Sequence, residues 1–69
     1  MSYVVRIEQE GFITGFVGNG RRKAPGTGTR YTHPSAAIRA AESYRKARRP
    51  RLTQLLVIND RDGSIVARR

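Results

Sequence analysis

The chain contains no cysteine and no tryptophan, one histidine, one methionine and five acidic residues against fourteen Lys and Arg. Without cysteine, neither a disulfide nor a thiolate metal site can form. His33 is the sole imidazole and the acids are scattered, so no ligand cluster and no Ser/His/Asp arrangement has enough members in one place. The expectation is a protein that is not an enzyme, with no catalytic residue, no metal and no cofactor. Asp60-x-Asp62-Gly63 has the opening of a calcium loop but lacks the later ligands, and reads as a turn.

Long apolar runs are also lacking. No stretch approaches the roughly 18 residues of a membrane-spanning helix. The N-terminal MSYVVRIEQEG carries acids where a signal peptide would need an apolar core. These features lead to the expectation of a soluble cytoplasmic protein without a membrane partner.

What remains is small, periodic and basic. Sixty-nine residues make one domain, residues 1–69, and a core of that size usually needs a disulfide, a metal or a partner subunit to supplement it. With the first two excluded, a homodimer is the expected supplement. The net charge of +9 draws the chain toward polyanions, either nucleic acid or an acidic protein surface. Twelve of the fourteen basic residues are Arg, a residue suited to forked phosphate contacts, although a GC-rich genome produces the same bias.

Tyr3 to Gln9 alternates with the period of a half-buried strand, Tyr3, Val5 and Ile7 facing one way and Val4, Arg6 and Glu8 the other. Glu10-Gly11 supplies a turn, and Phe12 to Val17 reads as the returning strand. Gly15 marks a bulge or a place where the helix backbone comes close. Gly18-Asn19-Gly20 then reads as a breaker that opens a Gly-rich basic loop at about residues 18–30. Thr32-His33-Pro34-Ser35 is a helix start, with His33 favoured as cap because proline is tolerated in the first turn and disfavours helical geometry before it. The helix runs to about Arg48, ahead of Pro50, burying Ala37, Ala40, Ala41 and Tyr44 with Ile38 at the edge. Leu52 to Ile58 reads as a central strand and Ser64 to Arg68 as an edge strand. A loop at Asp60 to Gly63 sets Ile58 opposite Ile65 and Leu56 opposite Ala67.

The expected fold is α+β, β-β-α-β-β, a four-stranded antiparallel sheet with one helix packed on one face. The uncovered face would retain Val4, Ile13, Val17, Leu55, Val57 or their alternates, a second reason to expect a homodimer, formed through that face.

The candidate site is drawn from charge. Arg21, Arg22, Lys23 and Arg30 lie in the Gly-rich loop, and Tyr31 beside them is the aromatic expected to stack on a base. Phe12 and Phe16 read as core or core-edge residues. The glycines of the loop match no nucleotide fingerprint. A second basic set, Arg45, Lys46, Arg48, Arg49 and Arg51, ends the helix, where the helix dipole alone favours cations. Were both sets on one face, about five or six phosphates would be neutralised, giving a salt slope of roughly −5.

The run Tyr31-Thr32-His33-Pro34-Ser35-Ala36-Ala37-Ile38-Arg39-Ala40-Ala41, with Leu56 to Ile65 (LVINDRDGSI), resembles a family of small bacterial and phage domains of unknown function. In that family a strand hairpin precedes a threonine-capped, alanine-rich helix and a closing hairpin. The resemblance implies the β-β-α-β-β fold and assigns the basic loop no activity. Compact proteins of this topology also recur among phage-encoded inhibitors of bacterial defence. Two roles therefore stand at this point. One is a small basic nucleic-acid binding module making backbone contacts through a flexible Arg-rich loop. The other is a phage or mobile-element protein-interaction module, for example an inhibitor of a host defence or nucleic-acid-handling complex.

Overall fold

Alternation of apolar and polar residues forms the strands, and tight turns decide how they pair. The computed structural model describes residues 2–24, 26–48 and 53–69. Its elements are β1 (Tyr3–Gln9), β2 (Phe12–Gly18), β3 (Arg21–Lys23), α1 (Pro34–Arg48), β4 (Thr53–Asn59) and β5 (Ile65–Arg68). The strands form one antiparallel sheet in the order β3-β2-β1-β4-β5, and α1 lies on one face of it, mainly over β1 and β4. The α+β class and the antiparallel sheet agree with the sequence reading; the five-stranded sheet corrects the expected four.

The extra strand originates at Asn19-Gly20. Both residues have positive φ, 52° and 73°, the backbone of a two-residue type I′ turn whose twist matches that of paired strands. What the sequence reading took as a breaker is therefore a hairpin turn, and Arg21 to Lys23 pair with Gly18 to Phe16. Glu10-Gly11 has the same geometry between β1 and β2, with φ of 52° and 84°.

Gly15 sits beside a β-bulge, as one of its two sequence readings had it. Ile7 stands opposite Gly15 and Glu8 opposite Ile13, which leaves Thr14 as the extra residue. The Thr14 hydroxyl donates to the Ile7 carbonyl at 3.3 Å. The close approach at Gly15 is to β3 and not to the helix: a Cβ there would stand 2.5 Å from the Lys23 carbonyl oxygen.

Proline at the first helical position and a carbonyl cap explain where α1 begins. The His33 carbonyl accepts from the N–H of Ala36 at 3.2 Å and of Ala37 at 3.4 Å, so His33 is the cap and Pro34 the first helical residue. Ala37, Ala41 and Tyr44 are buried against Val5, Ile7, Val17, Leu55 and Val57, with Ile38 and Ala40 half-buried at the margin. Small alanine side chains let the helix lie close on the sheet, and each fully buried Leu or Val contributes about 1.5 to 3 kcal/mol. The ending of the helix at Pro50 and the start of the next strand at Leu52 fall outside the described residues.

The closing hairpin bears out one expected pair and shifts the other. Ile58 is opposite Ile65, whereas Ala67 is opposite Val57 and Arg68 opposite Leu56. Val66 is the extra residue of a second bulge, 44% exposed, and the shift turns Ala67 toward the helix-side core. Among the described residues, no helix is long and apolar enough to cross a membrane.

Candidate nucleic-acid interface

Cross-strand register places residues that the sequence separates onto common faces, because directly opposed residues of an antiparallel pair project to the same side. Val17, Leu55 and Val57, expected among the candidates for the uncovered face, belong to the helix-side core. On the helix-free side, Val4, Leu56 and Ile58 form a second cluster with Phe16 against it. These three are buried within the single chain, at 8%, 2% and 5% exposure. The apolar surplus that suggested a second copy is thus smaller than alternation alone implies.

Around this cluster the register assembles one row across the whole sheet. Lys23 is opposite Phe16, Phe16 opposite Arg6, Arg6 opposite Leu56, and Leu56 opposite Arg68. At about 4.8 Å between strands, the row from Lys23 to Arg68 spans roughly 19 Å. Arg21, opposite Gly18, belongs to the same face as Lys23 by the two-residue period. Gly18 is bare for a reason visible here: a Cβ on it would meet Lys23 Cγ at 2.9 Å, so the aliphatic stem of Lys23 occupies the space.

The acids determine which cations are already engaged. Glu8, the one acid within the strands, pairs with Arg6 at 2.7 Å, both side chains being largely covered. Asp60 pairs with Arg30 at 3.2 Å, and Glu42 with Arg69 at 3.2 Å. Asp62 accepts the Ser64 N–H at 2.8 Å; bonds from the Ser64 side chain and then its backbone hold its carboxyl below the usual carboxylate range. Arg21, Lys23 and Arg68 are in no ion pair among the described residues.

The sequence-derived candidates distribute as follows. Arg21, Arg22 and Lys23 form the edge strand β3, with Arg21 and Lys23 toward the helix-free face. Arg22, opposite Val17, turns to the helix side and donates from Nη1 to the Thr14 carbonyl at 2.9 Å. Tyr31 is half-buried against the helix-side core and exchanges backbone hydrogen bonds of 2.7 and 2.8 Å with Tyr3. The Thr29 N–H donates to the Val17 carbonyl at 3.1 Å, so residues 29–31 bridge the ends of β2 and β1. The basic stretch begins as a strand and ends tied to the sheet. Between these ends, Thr27 bonds back to the Ala24 carbonyl through its N–H at 3.0 Å and its hydroxyl at 2.6 Å.

Arg45 is used internally. Its Nη2 donates to the Thr53 carbonyl at 2.6 Å and the Arg69 carbonyl at 2.9 Å, fastening the helix to the C-terminal end of the sheet. Lys46 is exposed on the helix. The side chain of Arg48, with Arg49 and Arg51, lies outside the described residues. The described members of the two basic sets do not converge: Arg21 and Lys23 point away from the side on which α1 lies.

Sequence reasoning missed that Arg6, Phe16 and Arg68 share a cross-strand row with Lys23. The alternation in β1 already separated Arg6 from the core. The missing signal was the hairpin at Asn19-Gly20, which brings Lys23 beside Phe16. Phe12, read as core or core-edge, is 75% exposed at the tip of the β1–β2 hairpin.

Comparisons of the chain with family models, with curated proteins and with solved structures returned no match.

Proposed function

We propose that the protein is a small nucleic-acid binding module that holds phosphates through cations on the helix-free sheet face. The observation that carries this reading is the row Lys23–Phe16–Arg6–Leu56–Arg68, with Arg21 beside it. Three of its cations, Arg21, Lys23 and Arg68, have no acid partner among the described residues. The strand acid that would oppose a polyanion is neutralised by Arg6. A net charge of +9 adds long-range attraction that salt screens.

Because the described cations are divided between two sides of the molecule, the electrostatic footprint is smaller than a merged patch would give. Three phosphate contacts correspond to a slope of log K against log salt of about −2 to −3. The test is an anisotropy titration of labelled DNA and RNA at several salt concentrations. Micromolar binding at about 50 mM salt with a slope near that value supports the reading. No binding at that salt, or binding insensitive to salt, rejects it. Pull-down from lysate with and without nuclease separates a nucleic-acid partner from an acidic protein partner, since only the latter survives nuclease.

A further inference from the structure

We infer that the ligand of the helix-free face is single-stranded nucleic acid, and that Phe16 is the residue on which a base stacks. The inference rests on the nucleic-acid reading above and goes beyond it in naming the strand state and the aromatic. Charge complementarity selects a polyanion. Shape then selects between duplex and single strand. A face about 19 Å across is wider than the roughly 12 Å major groove, which admits a helix or a two-stranded ribbon. A splayed single strand has no such limit, and it presents bases to a surface while its backbone follows the cations.

Phe16 is singled out by elimination among the aromatics. Tyr3, Tyr31 and Tyr44 pack with the helix-side core. Phe12 is exposed, but it stands opposite Gln9 with Glu10 two residues away, so no cation flanks it in its row. Phe16 lies between Lys23 and Arg6 and is half-buried where Leu56 and Ile58 are closed off. It is therefore a partly exposed aromatic held in place by Val4, Leu56 and Ile58, with Gly28 close against its Cβ and an unpaired cation on the next strand. Stacking of this kind tolerates any base, so the inference expects little sequence preference.

The experiment compares a labelled 12-mer single strand with the duplex of the same sequence, against the wild-type chain and three variants. Wild type should bind the single strand at least tenfold more tightly than the duplex. Phe16→Leu keeps an apolar side chain but removes the π-face, and should weaken single-strand binding about tenfold with an unchanged salt slope. The double variant Arg21→Gln/Lys23→Gln should instead flatten the slope by about 1.4. Phe16→Trp guards against a misfolded leucine variant: the chain has no other tryptophan, and its emission should be quenched when the single strand saturates the protein. Equal affinity for duplex and single strand, or an unquenched tryptophan at saturation, overturns the inference while leaving the nucleic-acid reading intact. Failure of wild type to bind either probe overturns both.

Discussion

Gly15→Ala is the sharpest structural test of why the basic stretch is a strand. The added Cβ would lie 2.5 Å from the Lys23 carbonyl oxygen and 2.9 Å from Arg22 Cγ. An ordinary nonbonded separation is about 3.5 Å, so the β3 backbone must move by roughly 1 Å. Arg22 can swing aside; the carbonyl cannot. Ladder hydrogen bonds occupy a narrow N···O range of about 2.7 to 3.2 Å, and a three-residue strand has no spare pairs to absorb such a shift. Overpacking of this kind costs about 1 to 3 kcal/mol. A 69-residue domain at about 0.05 to 0.15 kcal/mol per residue holds roughly 3 to 10 kcal/mol in total. The variant should therefore stay folded but lose β3. Urea denaturation would give the energy, and amide shifts and hydrogen exchange of residues 21–23 the location. Gly11→Ala is the control: it adds strain at a φ of 84° with nothing within 4 Å of the new Cβ, and should cost about 1 kcal/mol while leaving those amides unchanged. If Gly15→Ala leaves β3 amides protected and stability within about 0.5 kcal/mol of wild type, the close approach does not control β3 and the reasoning fails.

Two further outcomes follow from the core and the closing turn. Leu55 is fully buried, so Leu55→Ala should cost about 2 to 5 kcal/mol, measurable as a lower urea midpoint and large enough to leave the domain partly unfolded. The depressed pKa of Asp62, caused by bonds from Ser64, makes its contribution to stability complete above the ordinary carboxylate value and lost as pH falls through the lowered folded value. An NMR titration of the Asp62 carboxyl should show a midpoint below that of an unstructured peptide. Ser64→Ala should raise it part of the way back, because the backbone N–H remains.

The parts legible in the sequence are those fixed by local chemistry. The helix start followed from Pro34 after a carbonyl cap, its buried stripe from Ala37, Ala41 and Tyr44, and the first hairpin from Glu10-Gly11 between alternating runs. What was misread depended on spacing that local pattern underdetermines. Asn19-Gly20 is a hairpin signal only if the next residues form a strand, and Arg21-Arg22-Lys23 contains no apolar residue to announce one. Val66 looks like an ordinary alternating residue until its bulge shifts Ala67 opposite Val57. The candidate site was half legible for the same reason. Charge identified Arg21 and Lys23, but Arg6, Phe16 and Arg68 join them only through the register of the neighbouring strands. Arg30, Arg22 and Arg45 each have internal partners that composition does not reveal.

Cations on β3 have a second physical use, and the two uses make different demands. A charged edge strand blocks edge-to-edge pairing with another chain, and β3 is an edge whose three residues are all cationic. Edge protection is indifferent to which face a charge occupies, so it accounts for Arg22 as well as for Arg21 and Lys23. It accounts equally for Arg68 on the other edge strand, β5, but not for the alignment of Arg21, Lys23 and Arg68 on one face of the sheet. Nor does it account for a partly exposed Phe16 beside Lys23 on that face. Electrostatics also bears on the homodimer expected through this face. Stacking two copies would bring the unpaired Arg21, Lys23 and Arg68 of each near the same cations of the other, and Glu8, the strand acid on that face, is already engaged by Arg6. A polyanion relieves that repulsion while a second copy adds to it, and this difference in sign is why we propose a polyanionic partner, and not a second copy, for this face.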